Sequence, residues 1–304
     1  MILVAGASGF VGRALLPPLV ERHPGEVRAL VRREFDAVRL RDQGVETFTG
    51  DLIDGRGIDP AMRGVDTLVY LVQTLDHAGD VVSNDLTAVQ NTLLAARAAG
   101  VGRVVFLGSV GASERATSEH FVARWAAELA IRQSQLHWVI LRAPLIVGDG
   151  ATLFDMMRRY VNRSPVVPLF RWRRVEVEPV AIRDVVEAVC MAVEGERFDD
   201  RVFDICGSQR ITFGEVVRGW GRAAGKRRIY LPLPGWGDRL LEQAAWSLAR
   251  LPRRETRLLL ATLRERQVCT DPSRRFPLPQ RPVTYEQALE AVLAPGRAAP
   301  RSET

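Results

Sequence analysis

Apolar residues in the first half of the chain fall into short, nearly continuous runs, and amphipathic stretches of helical period lie between them. The runs at 1–5, 27–31, 45–48, 67–72, 103–107 and 138–141 have the length and composition of strands buried on both faces. The stretches at 10–21, 84–99 and 118–134 place apolar side chains three and four apart and read as helices. Strands that alternate with helices at this spacing predict an α/β fold, a doubly wound parallel sheet. Pro17-Pro18 inside the first helical stretch predicts a kink or an early end.

After Pro144 the alternation loosens. Residues 152–161 and 183–193 read as helices and 202–206 as a strand that returns to the sheet. The mix of Pro, Arg and aromatics at 163–174 reads as a loop. From residue 207 onward the pattern is helical, proline-punctuated and basic. The expected organisation is a nucleotide-binding domain at 1–206, with 151–174 contributing to a substrate cleft, and a smaller, mainly helical C-terminal lobe at 207–304 over the strand C-termini. Residues 295–304 read as a frayed tail.

The loop after the first strand is Gly6-Ala-Ser8-Gly9-Phe10-Val11-Gly12. Glycines that follow a strand and open a helix suit a dinucleotide pyrophosphate. Gly6 allows the tight turn, Gly9 lets the backbone approach the phosphates, and Gly12 lets helix and sheet pack closely. The helix start then offers free N–H groups and a positive dipole end. This makes the first domain a Rossmann unit that binds a nicotinamide dinucleotide. Leu71 and Val72, closing the fourth strand, join the expected cofactor contacts.

An acid at the end of the second strand would bind adenosine ribose hydroxyls and favour NAD(H). Here that strand is followed by Arg32-Arg33. Forked cationic donors suit a 2′-phosphate, so NADP(H) is favoured over NAD(H). Gly50-Asp51-Leu52 follows the third strand. Asp51 there reads either as an acceptor for the adenine amino group or as a turn aspartate capping a helix.

The loop at 6–12, Gly-Asp-Leu at 50–52 and Leu-Gly-Ser-Val-Gly-Ala at 107–112 resemble the short-chain dehydrogenase/reductase superfamily. The run Ala127-Glu-Leu-Ala-Ile-Arg-Gln-Ser-Gln-Leu-His-Trp-Val-Ile-Leu-Arg-Ala-Pro144 is similar to the signature of its atypical, NmrA-like branch. That branch includes redox regulators, isoflavone-reductase-like enzymes and an accessory subunit of respiratory complex I. The resemblance covers roughly residues 1–215. It implies a catalytic serine, matched by Ser109, and a Tyr-x-x-x-Lys pair on the next helix. Aligning that helix on Glu128 puts His120 at the tyrosine position and Arg124 at the lysine position.

The chain's single lysine is Lys226, and the residues four after its tyrosines are Thr74, Ser164, Pro234 and Leu289, so Tyr-x-x-x-Lys is absent. Arg124 still offers donors to a nicotinamide ribose. His120 reads either as a replacement proton donor that titrates near neutral pH or as a helix-start histidine without chemistry. Three functions follow. The favoured one is a cofactor-binding sensor or an assembly or regulatory protein. The alternative is an NADPH-dependent oxidoreductase acting on a small apolar carbonyl, enone or quinone through Ser109, His120 and Arg124. A sugar-nucleotide epimerase or dehydratase is weaker, because it relies on the missing pair. Arg142, ending the sixth strand, reads as a substrate contact or as one half of an ion pair. Val180-Ala-Ile-Arg-Asp184 resembles the superfamily's return segment, with Asp184 as a helix N-cap.

Composition adds three expectations. Residues 207–304 hold 18 Lys/Arg against 9 Asp/Glu, which concentrates the net charge of +6 there. The apolar, arginine-rich stretch 237–266 reads as a lid helix pair packed on its own domain or as a peripheral membrane contact. Phe170-Arg-Trp-Arg-Arg174 is thin support for nucleic-acid binding, which is not expected. Cys190, Cys206 and Cys269 show neither zinc nor disulfide spacing and read as free thiols in a reducing cytoplasm; with no leader pattern before the first strand, a cytoplasmic location is expected.

Overall fold

A computed structural model describes residues 1–233 and 253–294. The chain forms two compact units that interleave along the sequence. The first comprises Met1–Ala143, Ile182–Ile205 and Cys269–Pro279, and the second Pro144–Ala181, Cys206–Val268 and Gln280–Thr304.

The first unit is built on β1 (Ile2–Ala5), β2 (Val27–Val31), β3 (Glu46–Thr49), β4 (Thr67–Tyr70), β5 (Arg103–Ser109), β6 (His137–Ala143) and β11 (Arg201–Asp204). They form one seven-stranded sheet in the order β11-β6-β5-β4-β1-β2-β3, every pairing parallel. The strand order reverses between β1 and β4, the position where open α/β sheets leave a crevice at the strand C-termini. Strand cores such as Leu3, Val4, Leu68, Val104 and Phe106 are wholly buried, as burial between two helical layers requires.

The helices of this unit are α1 (Phe10–Arg22), α2 (Glu34–Arg41), α3 (Ile58–Met62), α4 (Val81–Ala98), α5 (Glu119–Arg132) and α7 (Ile182–Glu194). α4 packs along α5, and α1 along α7. Helix α1 continues through Pro17 and Pro18 to Arg22. The two prolines remove two N–H donors, but Leu15, Leu16 and Leu19 on the same helix are buried, and that packing holds the helix together.

The second unit contains β7 (Ile146–Val147), α6 (Thr152–Arg163), β8 (Val166–Leu169), β9 (Glu176–Val177), β10 (Val180–Ala181), β12 (Ile211–Thr212), α8 (Phe213–Ala223), β13 (Ile229–Pro232), α9 (Arg253–Thr262) and α10 (Tyr285–Leu293). The expected loop at 163–174 instead holds β8, which pairs in parallel with β13 more than 60 residues later, and a 3₁₀ turn. A pairing that distant leaves no local periodicity to read. Phe170 and Trp172 in this segment are buried and present no face for base stacking.

The region 237–266 lies partly outside the described residues. Within the described part, Leu258, Leu259, Leu260 and Leu263 are buried. Among the described residues no helix is long and apolar enough to cross a membrane. The expectation of three free thiols needs correction: Cys190 is free and buried, whereas Cys206 and Cys269 are disulfide-bonded.

Candidate functional site

The glycine loop has the backbone that the sequence predicts. Gly6 sits at φ +86°, and a Cβ there would lie 3.2 Å from the backbone of Leu71 and Val72. This places the loop against the end of β4, at the reversal of strand order. At Gly12 a Cβ would lie 2.4 Å from the Gly6 carbonyl oxygen and 2.6 Å from the Ala7 Cα, so no larger residue fits without moving the loop. Gly9 is the N-cap of α1 and donates its N–H to the Gly6 carbonyl. Helix α1 has no side-chain cap and no acid in its first turn. Its leading N–H groups are therefore left for another acceptor, and an anion suits them. Helix α8, by contrast, closes its own start with a Thr212–Glu215 capping box.

Around this loop the other expected contacts are engaged with neighbours. Arg32, at the end of β2, donates from Nη2 to Asp76 at 2.5 Å and also contacts His77. Arg33 pairs with Asp36 at 2.9 Å. All four of these charged side chains except Asp36 are substantially exposed, so the pairs are weak and open to replacement by a stronger anion. Asp51 accepts from the Ile53 N–H at 2.9 Å, which closes its own turn.

A buried polar cluster lies between β4, β5, α4 and α5. Arg124 is 1% exposed, with its guanidinium carbon 4.7 Å from the Phe106 ring centroid. Its Nη1 donates to the Val72 carbonyl at 2.8 Å and to Asp85 Oδ2 at 3.1 Å. Asp85 Oδ1 accepts from the Thr74 N–H at 2.8 Å and from its hydroxyl at 2.7 Å. Arg124 Nε and Nη2 are buried without a partner, and so is His120 Nδ1 one helical turn earlier. Burial is expensive for unpaired donors, and these three atoms leave their hydrogen-bonding capacity unused.

His120 lies in the first turn of α5 with its ring 5.5 Å from that of Phe121. Burial, with the adjacent Arg124 cation adding to it, pushes its pKa down to about 4. The expected titration near neutral pH is therefore corrected: the imidazole is neutral at pH 7. Ser109 ends β5 and is buried. Tyr70 on β4 is wholly buried, and burial with the Asp85 charge raises its phenol pKa, so it stays protonated. Tyr160 and Tyr285 belong to the second unit, where their hydroxyls donate to the carbonyls of Pro168 and Val216.

Two readings left open by the sequence are now resolved. Arg142 forks onto Glu128, Nε to Oε2 at 2.9 Å and Nη2 to Oε1 at 2.7 Å, and stands 5.9 Å from the Trp125 ring centroid. It is an ion-pair partner. Asp184 lies within the first turn of α7 beside Arg183, past the N-cap position. Sequence reasoning missed Asp85 and Thr74. The signal was present: Asp85 shares a helix face with Val81, Ala88, Val89 and Thr92, and a carboxylate on an otherwise buried stripe asks for a partner.

An uncapped helix start behind a glycine turn, at the reversal of a parallel sheet, together with a buried Arg124–Asp85 pair at the strand ends, describes a nicotinamide-dinucleotide site. The NAD(P)H-binding family model matches residues 6–163. The chain belongs to that family.

Among its relatives, the ceramide reductase of Caulobacter vibrioides is 30% identical over 249 residues, covering 77% of this chain and 74% of that protein. The (4-alkanoyl-5-oxo-2,5-dihydrofuran-3-yl)methyl phosphate reductase of Streptomyces griseus is 31% identical over 236 residues, 74% of each chain. The Citrobacter sp. triphenylmethane reductase complexed with NADP(H) shares the fold, with a TM-score of 0.76 at 20% identity over 96% of this chain and 100% of that one.

Proposed function

We propose that this protein is an NADPH-dependent reductase of an apolar carbonyl, enone or quinone compound. The observation that carries the reading is the pair of buried side chains on α5, Arg124 and His120, with polar atoms left without partners. Two relatives are named as reductases, which favours turnover over the sensor role that the missing Tyr-x-x-x-Lys suggests. The substrate class rests on the sequence reading and on the ceramide named for one relative.

The bound nicotinamide supplies a hydride. The chain supplies the rest. The α1 N-terminus and residues 6–12 would hold the pyrophosphate, and Arg32 and Arg33 would hold a 2′-phosphate, with Asp76 giving up Arg32. Arg124, whose Nη1 is held by Asp85 and the Val72 carbonyl, would offer Nε and Nη2 to the nicotinamide ribose. Ser109 and His120 donate hydrogen bonds to the substrate oxygen as negative charge develops there. Because His120 is neutral, it polarises that oxygen as a hydrogen-bond donor, and the final proton comes from solvent.

Stopped-flow mixing of NADPH-loaded protein with a panel of apolar aldehydes, enones and quinones tests the reading. Consumption of NADPH that falls at least about a hundredfold in His120→Ala, the scale of one oxyanion donor, is the expected result. Tight NADPH binding with no oxidation by any member of the panel would return the protein to the sensor reading.

A further inference from the structure

The second unit carries an apolar surface that the cofactor site does not use. Strands β8 and β13 pair in parallel, with Ile229 opposite Val166 and Leu231 opposite Pro168. Side chains alternate across the pair. Val167 and Leu169 point into the unit and are wholly buried. On the opposite face Ile229 is 66% exposed, Leu231 46% and Val166 39%. An isolated two-stranded ribbon with one buried face and one exposed apolar face is incomplete by itself.

The charge around the ribbon is predominantly basic. Residues 157–175 contain six arginines and residues 216–232 four arginines and Lys226, while Asp155, Glu176 and Glu215 border these segments and Arg158 pairs with Asp149 and Asp155. Arg228, just before β13, is tied to the end of α6, donating from Nε to the Val161 carbonyl at 2.8 Å and from Nη2 to that of Asn162 at 3.2 Å. Lys226 and Arg227 precede β13 and are exposed, and Arg171 is exposed beyond the end of β8; none of these three side chains has an ion pair among the described residues. Apolar side chains at the centre with cations at both ends match the interface of an anionic bilayer, where methyl groups enter the acyl boundary and cations meet headgroups.

The same charge disfavours a second copy of this chain, because a two-fold pairing would bring the two cationic rims together. Nucleic acid fits poorly, since the local aromatics Phe170 and Trp172 are buried. We infer that the exposed face of the β8–β13 ribbon, with Lys226, Arg227 and Arg171 around it, docks this protein peripherally on anionic lipid membranes. This inference stands apart from the cofactor site and does not depend on the reductase reading.

Sedimentation of the full chain with vesicles tests it. Wild-type protein is expected to bind mixed phosphatidylcholine/phosphatidylglycerol vesicles at least about tenfold more tightly than phosphatidylcholine alone, and less tightly as salt rises. Ile229→Ser/Leu231→Ser and Lys226→Glu/Arg227→Glu are each expected to lose about tenfold of that binding with melting temperature and NADPH affinity unchanged, since every one of these residues is on the surface. Equal binding to both vesicle types, or variants that bind like wild type, would overturn the inference. A concentration-dependent dimer that Ile229→Ser/Leu231→Ser dissociates would also overturn it, by assigning the face to a second copy.

Discussion

Two arginines beside the same helix have opposite arrangements. Arg142 meets a carboxylate with two donors of its fork, and Glu128, which is 1% exposed, is held by it. Arg124 is more deeply buried, yet only Nη1 is engaged, while Nε and Nη2 face no acceptor. Desolvating a guanidinium costs several kcal/mol unless its donors are met. The first arginine is complete and serves the fold. The second is held at one corner by Asp85 and the Val72 carbonyl, and its other donors are buried and unused, which is why the proposed reading assigns it to the cofactor. Burial alone does not separate the two; the number of donors already used does.

The comparison breaks most visibly at Arg142. Arg142→Ala leaves Glu128 buried with only a distant Arg132 at 3.8 Å, and a loss of about 3–5 kcal/mol is expected in chemical denaturation. The fraction that stays folded should bind NADPH as wild type does. A variant that is stable but cannot bind the cofactor would reverse the roles assigned to the two arginines.

His120 sharpens the contrast through pH. Its pKa is about 4 in the folded chain against an ordinary 6.5, so the folded state binds fewer protons than the unfolded state between those values. Stability from this group is fully present above pH 6.5 and is lost as pH falls toward 4, by roughly 3 kcal/mol in total. His120→Phe should flatten that part of the denaturation profile. An unchanged slope would mean that His120 is not held neutral by its surroundings.

Arg32 gives the smallest expected effect. On the proposed reading its exposed pair with Asp76 is exchanged for the 2′-phosphate, so the net gain is modest. Arg32→Ser should weaken NADPH about fivefold to tenfold, roughly 1–1.4 kcal/mol, and leave NADH unchanged. Equal losses for both cofactors in calorimetry would remove the basis for preferring the phosphorylated one.

How far these arrangements were legible varies with their range. The strand runs, the glycine loop and α5 are local patterns, and each appears where periodicity and turn chemistry place it. The β8–β13 pair depends on a contact more than 60 residues apart, about which local pattern is silent. The positions of His120 and Arg124 followed from motif alignment. Their chemistry did not: the imidazole's neutrality comes from burial and a neighbouring cation, and the arginine's orientation comes from Asp85, a residue on another helix. Asp85 itself was readable only as a carboxylate out of place on an apolar stripe.

The claim that Arg124 is a binding residue and Arg142 a structural one is tested most directly by calorimetric titration of NADPH into wild type and Arg124→Met. Methionine fills much of the same space, and Asp85 keeps its two donors from Thr74. The account predicts tenfold to hundredfold weaker binding, about 1.4–2.7 kcal/mol, in a variant that is folded by circular dichroism but less stable, since Asp85 loses its cation. An Arg124→Met protein that binds NADPH as tightly as wild type would contradict it.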